Sequence, residues 1–156
     1  MFLVFPLKHN IEFNPSPGAS GYQMSNPSIL ATASLLGSLQ VFDAAGFSAL
    51  RSKSVSLTGY LERLLDTVLD AHQKAGHFSI LTPRDPQHRG CQLSLDFPKR
   101  MMDIFAQLEA RGVICDERKP TVIRIAPVPL YNSYTDALRA VLYLKDILDS
   151  FFPLSR

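Results

Sequence analysis

The chain has 156 residues, of which 46% are hydrophobic and 19% charged, with a formal net charge of +2. That is enough for one domain with a core and too apolar for a disordered chain. The balance is too weakly basic, with Lys and Arg too scattered, for nucleic-acid binding.

The opening MFLVFPLKHN is apolar but stopped by Pro6 and Lys8, too short for a secretory signal or a spanning helix. The expectation is a soluble, cytoplasmic protein with no membrane association. Cys91 and Cys115 form no C-x-x-C pair and have no histidine at metal-ligand spacing, so both read as buried thiols. Residues 13–28 carry Pro15, Pro17, Gly18, Gly21 and Pro27 and read as a loop. Asn26 before Pro27 then reads as N-cap and first position of a helix over 28–45, apolar nearly all round and therefore expected to be buried. Ser48 is placed to cap a second helix over 49–73, with Leu50, Leu57, Leu61, Leu64, Val68 and Ala71 on one face, closed at Gly76.

The periodicity then switches. Residues 77–82 predict a short strand, 83–90 a solvated polar loop, and 91–97 (CQLSLDF) a strand with Cys91, Leu93, Leu95 and Phe97 inward. A helix from Pro98 to Arg111 ends at Gly112, a strand follows over 113–116, a turn over 117–120 and a strand over 121–126. The last helix covers 134–152, with Ser133 and Asp136 spaced for a capping box and Ala137, Val141, Leu144, Leu148 and Phe151 as its core stripe. Strand pairs joined by short loops make this an α+β fold, an antiparallel sheet with helices on one face, preceded by two long helices.

Arg124 is the first candidate functional residue. Alternation puts it with Val122 and Ala126 on one face, opposite Ile123 and Ile125. A guanidinium in an apolar strand needs an anion, and its fork suits a carboxylate, although from the residues alone an internal salt bridge or an exposed sheet face is the favoured reading. Ser25 and Asn26 form the second candidate, because a loop entering a helix N-terminus offers free N–H groups to a phosphate; a simple N-cap is the alternative. His9, His72, His77 and His88 match no zinc pair or triad and read as structural or surface residues. The glycines match no nucleotide-binding loop, and Ser20 lacks the strand that precedes a nucleophile elbow.

Five segments read together are more specific. PGASGYQMSNPSIL (17–30), SKSVSLTGYLERLL (52–65), RGCQLSL (89–95), LEARGVICDERKP (108–120) and IRIAPVPLYNSYTD (123–136) resemble kynureninases, in the family's order and spacing. The resemblance implies a fold-type-I pyridoxal-phosphate enzyme. In that family a large domain carries the cofactor lysine, and a smaller C-terminal domain closes over the substrate. It divides the chain into an atypical segment 1–12, an active-site-type loop 13–27 and a small C-terminal domain 28–156, the large cofactor domain being absent. The implied reaction, in tryptophan catabolism and NAD biosynthesis, hydrolyses L-kynurenine or 3-hydroxykynurenine to anthranilate or 3-hydroxyanthranilate plus L-alanine. Arg124 matches the arginine that holds the substrate's α-carboxylate. Asn26 matches an asparagine at the cofactor phosphate and the substrate's aromatic end, and Ser25 a residue near the ring. No catalytic residue carries over, because Lys8, Lys53, Lys74, Lys99, Lys119 and Lys145 lie in no context like that of the family's lysine. The resemblance therefore implies a chain inactive alone, working with a small-molecule substrate and as a homodimer or against a large-domain partner. A non-catalytic dimerisation or regulatory module, or an amino-acid-binding α+β module, is the alternative. The face that packs on a large domain is expected to be apolar and exposed.

Overall fold

The computed structural model describes residues 17–23 and 25–154, so the segment expected to be atypical, 1–12, lies outside the described residues. The chain divides into two compact units, Met1–Gln40 and Val41–Arg156.

In the first unit, one 3-10 turn covers Gly18–Tyr22. Helix α1 follows over Ile29–Ala45 and runs across the division. It starts after Ser28, whose hydroxyl accepts from the Ala31 amide at 3.4 Å, so Ser28 rather than Asn26 supplies the cap. Every α1 residue is exposed, which corrects the expectation of a buried helix. A helix apolar on all sides needs neighbours on all sides, and its own sequence does not say where they come from.

The second unit holds the core. Helix α2 (Phe47–Val68) begins after Gly46, which takes φ 80°, a conformation open to glycine, so Ser48 sits within the helix rather than capping it. At Leu69 the backbone breaks, and a short α3 (Asp70–Lys74) resumes in a new phase. That break corrects the single helix expected over 49–73. The shift buries His72 and leaves Ala71 exposed. Gly76, at φ 73°, then turns the chain as expected.

The sheet consists of β1 (Ser79–Ile80), β2 (Leu93–Asp96), β3 (Asp116–Arg118) and β4 (Val122–Ile125), all antiparallel in the order β1-β2-β4-β3. Between β2 and β3 lies α4 (Met101–Ala110), and α5 (Tyr134–Phe151) closes the domain. The alternation read from the sequence holds: Leu93, Leu95, Phe97, Ile123 and Ile125 are buried on one sheet face, while Ser94, Asp96 and Arg124 are not. Leu57, Leu61 and Leu65 of α2, Ile104 and Leu108 of α4, and Val141, Leu144 and Leu148 of α5 join those strand residues in one core. Ser133 and Asp136 form the capping box: Ser133 Oγ accepts from the Asp136 amide at 3.2 Å, and the Asp136 carboxylate accepts from the Ser133 amide at 2.8 Å.

Two further expectations change. The third strand is Asp116–Arg118, not 113–116. Val113 instead donates its amide to the Leu108 carbonyl at 3.0 Å, closing α4, and Ile114 is 86% exposed. The loop over 83–90 is not simply solvated, because Arg84 and Arg89 tie it to α2 through Glu62 and Asp66.

Candidate functional site

The sheet buries one face and leaves the other open, and Arg124 stands on the open one. Antiparallel register sets Ser94 on β2 and Asp116 on β3 directly opposite it. Residues opposite each other in a ladder project to the same side. One row along, Arg118 lies opposite Val122. A shallow depression of about 470 Å3, open to solvent, lies over this face, lined in part by Thr82, Gln92, Ser94, Arg118, Lys119 and Arg124.

The guanidinium is partly engaged. Nε donates to Asp116 Oδ2 at 2.7 Å, and Nη2 donates to the same oxygen. The other oxygen, Oδ1, accepts from Arg118 Nη1 at 2.8 Å. Arg124, placed first among these hydrogen-bond donors, holds the Asp116 carboxyl below its ordinary value, with Arg118 assisting. Arg124 therefore has an internal carboxylate, one of the readings the sequence offers, and also open space beside it. Among the described residues no hydrogen bond involves Nη1. Arg118, Lys119 and Arg124 line the depression and, among the described residues, no acid does, so its wall is cationic.

Sequence reasoning missed Asp116, Arg118 and Lys119 as partners of this site. Arg118 and Lys119 fall in the segment that reads as a turn, and Asp116 reads as a strand end one register away. The acid beside the arginine is visible only once the β3–β4 pairing is known.

Ser25 and Asn26 are described separately, within the first unit. Both are exposed. The Ser25 carbonyl accepts from Gln23 Nε2 at 2.9 Å, and among the described residues neither side chain makes a hydrogen bond. The α1 N-terminus beyond them has the open N–H groups that any helix start offers.

A cleft of about 480 Å3 lies where the end of β4 faces α4 and α5, with Arg111, Asn132 and Arg139 on its wall. Arg111 donates there to the Tyr143 carbonyl at 2.9 Å, a contact that joins α4 to α5. Among the described residues no group of His, Cys, Asp or Glu could hold a metal ion. His72 and His77 meet each other instead, Nδ1 to Nδ1 at 3.0 Å, and His72 Nε2 lies 2.8 Å from Asp149 Oδ1. His72 thereby ties α3 to α5. Both cysteines are unpaired and half-buried, and burial pushes the Cys115 thiol up to about 11. Among the described residues no single helix is long and apolar enough to cross a membrane.

Residues 50–144 match the family model of the kynureninase C-terminal domain. The chain belongs to the kynureninase family. A kynureninase of Monosiga brevicollis is 47% identical over 146 residues, 94% of this chain and 31% of the relative. Those of Koribacter versatilis and Mus musculus are 48% and 47% identical, over 83% and 86% of this chain and 30% of each relative. The chain thus spans about 30% of the length of the kynureninases it matches, and corresponds to their C-terminal part.

Proposed function

We propose that this chain is the substrate-closing part of a kynureninase and that Arg124 grips the α-carboxylate of L-kynurenine or 3-hydroxykynurenine. The reaction served is hydrolysis to anthranilate or 3-hydroxyanthranilate plus L-alanine. The single observation that carries the reading is the cationic depression on the open sheet face, with Arg124 opposite Ser94 and Asp116.

Kynureninase chemistry depends on pyridoxal phosphate, which when bound withdraws electrons from the substrate's α-carbon. The described residues do not complete a site for it. Lys74 pairs with Asp70 and Lys145 with Asp149, Lys53 lies along α2, and Lys99 and Lys119 are exposed. None stands buried beside an acid for a ring nitrogen and a set of donors for a phosphate. The chain's own contribution is therefore recognition: Arg124 fixes one end of the amino acid, which orients the bond to be broken. Ser25 and Asn26, exposed ahead of α1, are the proposed contacts toward the aromatic end and the phosphate. The fully exposed apolar helix α1 supports a further polypeptide surface, a large domain or a second subunit, as partner.

Mixing this chain with a kynureninase that lacks the matching C-terminal portion tests the reading. Kynurenine hydrolysis is expected on mixing, and Arg124→Ala is expected to lower kcat/KM about 100-fold, the worth of a lost bidentate charge-assisted contact. An Arg124→Ala chain that restores full activity refutes the carboxylate role. Turnover by this chain alone with added cofactor refutes the assignment to recognition.

A further inference from the structure

We propose that Asp116 is the positioning residue for Arg124: it holds the side edge of the guanidinium, so that the remaining edge faces the depression on the sheet and receives an amino acid's carboxylate. This rests on the reading of Arg124 given above and adds the group that makes it usable.

A guanidinium has two edges that can take a carboxylate in bidentate fashion, one formed by Nε and Nη2 and one by Nη1 and Nη2. Asp116 occupies the first, with a single oxygen accepting from both Nε and Nη2. The second edge keeps one Nη1 and one Nη2 proton for a ligand. The other Asp116 oxygen is committed to Arg118, so this carboxylate holds two cations rather than sealing one. Arg118 and Arg124 sit one row apart on the same face and would otherwise repel. With Asp116 between them and Asp96 in the row of Arg118, three cations (Arg118, Lys119 and Arg124) face two acids, and the face stays net positive. Asp116 is fixed in turn by backbone pairing, since its strand partner is Arg124 itself. Its side chain is 45% exposed, so its effect is on geometry more than on stability.

The test is a titration of the 15N-labelled chain with L-kynurenine, and separately with acetate, followed on the arginine side-chain signals. In Asp116→Asn the amide oxygen can still accept both Arg124 hydrogen bonds, whereas Asp116→Ala offers nothing. Asp116→Asn is expected to bind within about threefold of wild type and Asp116→Ala about tenfold more weakly, the loss of one oriented charge-assisted contact. Arg124→Ala is expected to abolish binding. If Asp116→Ala binds as wild type while Arg124→Ala does not, the positioning role falls and the Arg124 reading stands. If Arg124→Ala still binds, or wild type does not, both fall. Should Asp116→Ala fail to fold, the wild-type spectrum decides. Ligand is expected to move the Arg124 Nη signals and leave Nε–Hε in place, and an Nε–Hε signal that moves equally would mean that ligand displaces Asp116 and would overturn the proposal.

Discussion

Arg89 keeps only 4% of its side chain exposed and meets Glu62 through two hydrogen bonds of 2.8 and 2.6 Å. The Arg89 hydrogen bond holds the Glu62 carboxyl below its ordinary value. Removing the acid leaves a buried cation, so Glu62→Ala is expected to cost about 3 kcal/mol in denaturant unfolding, with the 83–90 loop released from α2. Glu62→Gln should cost less. His77 shifts in the same direction for a different reason. It stacks on Phe152 with ring centroids 4.4 Å apart, and burial, then His72 and Lys99, lowers its pKa. The unfolded imidazole protonates near its ordinary value of about 6.5, while the folded one resists. Between that value and the lower folded one the unfolded state binds more protons, so stability falls as pH drops below about 6.5. Above it this residue adds no pH dependence. Glu62, Asp116, Asp136 and Asp149 also have lowered pKa values, and what they contribute is present above about pH 4 and lost as pH falls further. The denaturation midpoint is expected to fall in two steps on acidification, and His77→Phe, which keeps a ring against Phe152, is expected to remove the first. A single step in wild type would contradict this.

At the scale of elements, α5 shows how local chemistry sets a boundary. Ser133→Ala removes the hydroxyl that caps the Asp136 amide and is expected to cost about 1 kcal/mol, seen as a lower midpoint with an unchanged slope. This box is legible in the sequence, because its residues lie three apart and their partners are local. So are β2 and β4, whose two-residue alternation gives the buried and open faces correctly. The features that escape a sequence reading depend on distant partners or on phase. The Val113–Cys115 stretch looks like a strand by its apolar residues, yet Val113 is spent on closing α4. The break at Leu69 rotates the next helical turn and buries His72, where unbroken periodicity points to Ala71. Arg124 stands out because a charge among isoleucines is conspicuous. Asp116 does not, because an acid at a strand edge is ordinary until the register places it opposite the arginine.

At the scale of the molecule, the core of the second unit contrasts with the surface of α1. Leu30, Leu35, Leu36, Leu39, Val41 and Phe42 are all exposed, at 81, 59, 58, 49, 54 and 41%. An apolar surface of this kind drives association. The chain alone is expected to self-associate as its concentration rises, in sedimentation velocity, and Leu36→Glu combined with Phe42→Glu is expected to suppress it. A monomer at all concentrations would show that α1 is not a sticky surface. Toward the other end of the chain, Arg124 on the open sheet face is proposed to receive an amino acid's acid group. Calorimetric titration with L-kynurenine and with kynuramine, which keeps the ring, ketone and amine and lacks only the carboxylate, tests it most directly. Kynurenine is expected to bind and kynuramine not to, with the difference erased in Arg124→Ala; equal binding of the two by the wild-type chain would contradict the account.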